Sequence, residues 1–395
     1  MAKALIKPQM LRWARERASL SVEGLAKKLK TTVKRLLSWE QGDDAPTFKQ
    51  AEKIARYTHV PFGYLFLSNP PKEELPIPDL RIHGGGLPTE ELSAVFLDLI
   101  RNVRFQHDWY RDYLLEQGAE RLPFVGKFRI ADNIRKIAGD ISDTLQLESL
   151  RANQSNWEDY LRLLCDRCEE VGIWIMRAGY VGSNTHRSLD LYEVRGFAIC
   201  DLIVPLIFIN GKDAKAAQIF TLAHELAHLW LGESGVSNIR LDEETPGPQA
   251  RVERVCNAVA AEVLTPQIQF LDAWQADVSL EENVRVLSKS FKVSDVVIAR
   301  RARDLGKIST EKYLSFFQQE QKRWDKQGDS KKGGNPYASY PIKNGRNFTQ
   351  AVLYSAMNGK LLLRDAGGLL HISPSTVQKL FYRQQGGGQD VFAGL

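Results

Sequence analysis

The sequence predicts an α+β chain that is mostly helical, and three observations carry that reading. Apolar residues recur at helical spacing through most of the chain, strand signals are confined to residues 172–210, and two Gly/Pro-rich stretches separate the helical segments. With 395 residues there is room for two to four domains at roughly 100 to 200 residues each. A content of 43% hydrophobic and 26% charged residues excludes a disordered, collagen-like or disulfide-scaffold chain. The amino terminus lacks an apolar h-region and no stretch approaches a spanning helix, so a cytoplasmic protein with no membrane contact is expected. The four cysteines fit a reducing compartment.

Charge is unevenly placed. Residues 1–60 hold 13 Lys+Arg against 6 Asp+Glu and residues 321–395 hold 11 against 4, so both ends are basic around an acidic middle. Basic ends suit a phosphate-bearing partner.

In chain order, residues 8–17 predict a first helix, Ser21 caps a second that buries Leu25, Ala26 and Leu29, and a short turn at Lys30-Thr31 leads into a third over 32–40 that stops at Gly42. Together they make a helix-turn-helix. Four prolines and three glycines over 68–86 exclude a helix or a central strand, and Thr89 then caps a long helix to residue 117, stopped by Gly118. Its Trp109, Tyr110 and Tyr113 read as a core stripe. Further helices are expected over 130–138, 157–171, 214–231, 249–264, 280–290 and 294–304. Strands are expected over 172–181, 196–202 and 204–210, giving a small sheet of three or so strands. Residues 325–345 read as a second linker. Cys165 and Cys168, a lone CxxC on a helix, read as buried small residues, and His83 as a loop residue.

The helix beginning after Asp213, its expected N-cap, and closed by Gly232 contains His224-Glu225-Leu226-Ala227-His228. Residues four apart share a helix face, so both imidazoles can meet one ion, while Glu225, rotated by about 100 degrees, can reach a water on it. Neutral imidazole suits Zn²⁺. A catalytic zinc needs a third protein ligand, and no His follows at the short metzincin spacing, where Leu231 and Ser234 stand instead. Glu253 on the following helix is one candidate, with Glu262 and Glu233 competing. Asn257, one turn after Glu253, is placed to fix the tautomer of a histidine.

The stretches HELAHLWLG (224–232) and ERVCNAVAAEVLTP (253–266) resemble the ImmA/IrrE family of bacterial and phage zinc metallopeptidases, whose second motif runs E-x-x-x-N-x-F-A-A-x-x-L-M-P. The resemblance implies a gluzincin-like fold with zinc on His224, His228 and Glu253 and with Glu225 catalytic. Val259 and Thr265 replace the usual Phe and Met. Upstream His186, Tyr180 and Tyr192 are polar enough to serve as an oxyanion donor. Residues 11–60, with the pattern L-A-x-x-L…W-E-x-G…P-T, resemble the XRE type, a five-helix lambda-repressor-like helix-turn-helix that binds duplex DNA. By position Val33, Lys34, Arg35 and Ser38 would face base edges and Lys27 and Lys28 phosphate, with Val22 and Val33 standing where polar contacts are common. Residues 361–381 repeat the cadence near the far end, weakened by Gly367-Gly368.

The expected organisation is therefore a helix-turn-helix domain over 1–67, a linker over 68–88, a helical connector over 89–158, a zinc peptidase domain over 159–324, a linker over 325–345 and a basic helical unit, HTH-like in cadence, over 346–395. The resemblances imply a DNA-binding regulator that cleaves or controls a protein partner, either a repressor or the toxin of a toxin-antitoxin-like pair. Self-association into a homodimer is a further expectation. The other reading is a non-proteolytic zinc-containing transcription factor or antitoxin scaffold.

Overall fold

The computed structural model describes residues 3–18, 20–71, 81–83, 92–152, 156–237, 248–324 and 336–386. The chain divides into two compact units, Met1–Pro76 with Leu87–Ile100 and Ile77–Gly86 with Arg101–Leu395. Among the described residues no helix is long and apolar enough to cross a membrane.

The first unit contains α1 (Pro8–Arg17), α2 (Val22–Leu29), α3 (Val33–Gln41), α4 (Phe48–Thr58) and a 3₁₀ turn (Phe62–Phe66). Ser21 caps α2 by accepting from the Gly24 amide, Thr32 caps α3 by accepting from Arg35, and Gly42 ends α3 at a φ of 87°. Leu11, Leu25, Leu36, Trp39, Ile54 and Leu65 fill the core. Val22 and Val33 pack against that core, which explains apolar residues at positions expected to be polar and moves Val33 away from an exposed readout role.

A buried ion pair ties α1 to α3. Arg15 donates from Nε to Glu40 Oε1 at 2.6 Å and from a terminal nitrogen to Oε2 at 3.1 Å. The bond to Glu40 raises the guanidinium pKa further above its ordinary value, against the cost of burial. Removing Arg15 takes both of these bonds from a buried carboxylate and leaves it only the longer contact with Arg12 Nε at 3.9 Å, so Arg15→Ala should cost about 1 to 3 kcal/mol. Hydrogen exchange should quicken in α1–α3 and stay unchanged in the second unit.

The second unit takes the long helix α5 (Ala94–Glu116) from Arg101 onward and continues through α6 (Ile134–Leu145), α7 (Leu147–Ala152) and α8 (Trp157–Glu170). The proposed cap of α5, Thr89, lies outside the described residues, and Gly118 follows at a φ of 78°. α6 starts later than expected because Asn133 caps it, accepting from Arg135. The sheet has five strands rather than three. β1 (Arg81–His83), β2 (Trp174–Ala178), β3 (Gly196–Ile199), β4 (Leu206–Asn210) and β5 (Gly235–Ser237) lie in the order β1-β5-β3-β4-β2. β3 runs antiparallel to β4, with Phe197 opposite Phe208, and to β5, whereas β2 and β1 pair parallel with β4 and β5. The two strands missed in the sequence have three residues each, too short for alternation to show. One of them includes His83, expected in a loop, and it lies at the edge of the sheet.

α9 (Lys215–Leu231) and α10 (Pro248–Leu264) pack together beside the sheet, followed by α11 (Gln267–Ala273), α12 (Leu280–Phe291), α13 (Asp295–Asp304) and α14 (Thr310–Trp324). Ala214, not Asp213, stands at the N-cap of α9. Asp213 instead pairs with Arg195 at 3.1 Å, and its backbone carbonyl accepts from Gln218. Cys168 is buried and Cys165 half-buried, both free, and burial pushes the Cys165 thiol up to about 11.

The polar stretch 325–345 is not a linker throughout, because 336–344 form a helix. α15 (Pro336–Asn344), α16 (Arg346–Met357), α17 (Leu363–Leu370) and α18 (Pro374–Gly386) complete the chain. Trp174 of β2 stacks on Phe348 with ring centroids 4.6 Å apart, and Tyr110 and Trp109 of α5 meet Phe348 edge-on. The aromatic stripe of α5 therefore receives α16. Glu169 of α8 caps α16, accepting from the amides of Arg346 and Asn347 at 2.8 and 3.1 Å, and burial pushes its carboxyl up to about 7. Gly345, at a φ of 84°, sits where a Cβ would stand 2.4 Å from the Trp174 ring.

Candidate metal centre

His224, Glu225 and His228 lie within α9, where every side chain from Phe220 to Leu231 is buried. Ile219, Leu222, Leu226 and Trp230 anchor the helix in the core together with Cys256, Val259 and Val263 of α10. The close packing of the two helices brings Glu253 of α10 opposite the histidines. His224 Nε2 lies 3.1 Å from Glu253 Oε2, His228 Nε2 lies 3.3 Å from Oε1, and the two Nε2 atoms are 3.1 Å apart.

The outer nitrogens are held as well. His224 Nδ1 is 3.0 Å from Asn257 Oδ1, and His228 Nδ1 is 3.0 Å from the Glu233 backbone carbonyl. Both partners are acceptors, so each Nδ1 carries the ring's N–H and donates it, which leaves each neutral Nε2 with a lone pair. Two lone pairs and a carboxylate then meet within 3.3 Å, an arrangement that repels itself until a cation stands among them. Two imidazoles and a carboxylate are a donor set that fits zinc.

The competing carboxylates are otherwise engaged. Glu262 pairs with the buried Arg301 and accepts from the Gln267 amide. Glu233 serves through its backbone, a contact the sequence does not signal. Thr265, in place of the motif Met, turns its hydroxyl to the Ala261 carbonyl at 2.6 Å, and Val259 is buried. Of the upstream polar candidates, Tyr180 lies beneath Lys343, 5.1 Å from its ring centroid, Tyr192 is 78% exposed, and His186 is exposed on a turn.

One further residue shapes the centre. A Cβ built on Gly196 of β3 would stand 3.0 Å from Glu225 Oε1 and 2.5 Å from the Thr221 methyl, so the strand can pass the Glu225 carboxylate only as glycine. A glycine inside a strand is itself a mark of close approach, and this was the available signal.

In the first unit Lys27, Lys28, Lys34 and Arg35 are exposed, while Ser38 and Val33 are half-buried. Lys28 lies over Tyr57 and Arg35 over Trp39, at 5.9 and 5.5 Å from the ring centroids.

Three segments match protein-family models. Residues 168–303 match the IrrE N-terminal-like domain of peptidase family M78, residues 11–65 match a helix-turn-helix, and residues 344–383 match a domain of unknown function, DUF8813. No curated protein and no solved structure matches the chain. The matches agree with the fused architecture predicted above, a helix-turn-helix joined to an ImmA/IrrE-like metallopeptidase domain.

Proposed function

We propose that this chain, an XRE-type helix-turn-helix fused to an IrrE-like metallopeptidase domain, is a DNA-bound regulator that hydrolyses a peptide bond in a protein partner, using one zinc ion held by His224, His228 and Glu253. The observation that carries the proposal is the lone-pair cluster of the two Nε2 atoms and the Glu253 carboxylate, fixed from behind by Asn257 and the Glu233 carbonyl. Zinc in such a site polarises a carbonyl and lowers the pKa of water to about 7.

The chain's own residues supply the rest. Glu225 follows His224 directly and is not one of the three converging ligands; it accepts the proton of the attacking water and passes it to the leaving amine. Asn257 and the Glu233 carbonyl hold the imidazole rings and their tautomers. Gly196 leaves Glu225 the space to take up its proton, so Gly196→Ala should keep zinc but slow cleavage by about 100-fold, the cost of an ångström-scale misplacement. In the helix-turn-helix, Lys34 and Arg35 address base edges with Ser38 beside them, and Lys27 and Lys28 meet phosphate. The partner is a repressor or the toxin of a paired system.

The test is to incubate the zinc-loaded chain with the proteins that co-purify with it and to map new amino termini by mass spectrometry. A terminus that a chelator abolishes and zinc restores is the expected result. Stoichiometric zinc with no zinc-dependent terminus in any co-purifying protein would leave the chain a scaffold.

A further inference from the structure

The three-residue turn that joins α2 to α3 occurs again between α17 and α18. Lys30 and His371 end the first helix of each pair in the left-handed region, both at a φ of 55°. The next amide reaches back five residues, Thr31 to Ala26 at 3.0 Å and Ile372 to Gly367 at 2.9 Å. The third turn residue then caps the second helix, Thr32 accepting from Arg35 and Ser373 from Thr376, each at 3.2 Å. The buried positions correspond one for one, Leu25, Leu29, Leu36 and Trp39 with Ala366, Leu370, Val377 and Leu380. Gly367, which weakened the helix signal, is required by the turn, since a Cβ there would stand 2.6 Å from the Ile372 carbonyl. α16 packs across both helices as the supporting third.

The turn alone does not make a DNA reader, and the chain contains its own control. α12 and α13 are joined by the same device, with Lys292 at a φ of 58°, Val293 reaching back to Ser288 at 3.2 Å and Ser294 as the cap. There the second helix is occluded. Val296, Val297, Ile298 and Ala299 are buried in succession, and its three arginines are ion-paired, Arg301 with Glu262 and Arg300 and Arg303 with Asp304. α18 has the opposite surface: Ser375, Gln378, Lys379, Tyr382 and Arg383 are exposed. Residues 336–386 carry six Lys+Arg against a single acid, Asp365.

We propose that α17 and α18 form a second duplex-DNA-binding head, in which Ser375, Gln378 and Lys379 face base edges and Lys360 and Arg383 supply charge toward the phosphates. Ser375 and Lys379 stand at the positions of Lys34 and Ser38 in the first pair, and Gln378 at that of the exposed Leu37. Gln suits adenine and Lys guanine in the major groove. The second head does not depend on the first or on the metal centre.

The full-length chain is titrated against a mixed-sequence duplex over a salt series, read by fluorescence anisotropy. The variants are Gln378→Ala with Lys379→Ala, Lys34→Ala with Arg35→Ala, and all four together, with circular dichroism and zinc content as controls for folding. The α18 pair should weaken binding about tenfold and lower the salt slope by about one, and the four together should weaken it more than either pair. If the α18 pair changes neither affinity nor slope in the native or the α3-substituted chain, the proposal is overturned, and loss of a co-purifying protein in its place would make this face a protein-docking surface. If only the α18 pair has an effect, the reading of α3 fails and the second head stands.

Discussion

Replacing Glu225 by glutamine should leave fold, zinc content and DNA binding intact while slowing cleavage of the partner by about 10² to 10⁴-fold, the range that a positioned general base contributes. Glutamine has the same shape and fits the same space beside Gly196, but it cannot take up a proton at that oxygen. The three groups that converge at the centre are His224, His228 and Glu253, so the metal set is untouched. A fully buried Glu within an apolar helix is costly to maintain, which favours a role beyond scaffolding. The measurement is the rate at which a purified partner is cut by each form at equal zinc occupancy. Equal rates, or no cutting by either form with normal regulation by the variant, would reduce the centre to a structural metal site.

Replacing Glu253 by alanine should have the largest effect on metal content. It removes the carboxylate that touches both Nε2 atoms and leaves zinc two ligands on one helix. Asn257→Ala removes an outer partner and should weaken zinc by about 10- to 100-fold; Glu253→Ala should exceed it. Chelation should lower the melting temperature of the native chain, since zinc at 100 times its Kd adds about 2.7 kcal/mol. Glu262→Ala is the control. It should retain zinc and lose stability, because Arg301 would lose its buried partner. Zinc retained by Glu253→Ala and lost by Glu262→Ala would refute this choice of third ligand.

What could be read in the sequence was what a few neighbouring residues determine together. Ser21, Thr32, Gly42 and Gly232 mark helix ends because capping is a local hydrogen-bonding problem, and the structure has each in that place. The geometry that brings His224 and His228 together is likewise local, being one helical turn. Glu253 needed the family motif, since three carboxylates lay within reach and only packing of α9 on α10 distinguishes them. The role of Glu233 was hidden because a backbone carbonyl has no residue signature. Asp213 looked like a cap and became an ion-pair partner of Arg195, a long-range choice that local preference does not record. α15 was missed because its Tyr-, Pro- and Asn-rich sequence resembles a linker; it is a helix because Trp174 and the sheet lie beside it.

The placement of α15 also bears on how the protein can be shortened. β2 is the last strand of its sheet, and its outer side would otherwise present unpaired backbone groups flanked by Trp174, Ile175 and Met176, a template on which another chain can add a strand. α15 and the Gly345 junction lie against it, and Trp174 donates to the Asn344 carbonyl at 2.6 Å. Truncation before residue 336, however natural it looks beside a Lys- and Gly-rich segment, would bare that edge and invite aggregation, so soluble expression of the metal-binding unit requires the carboxy-terminal helices to be retained.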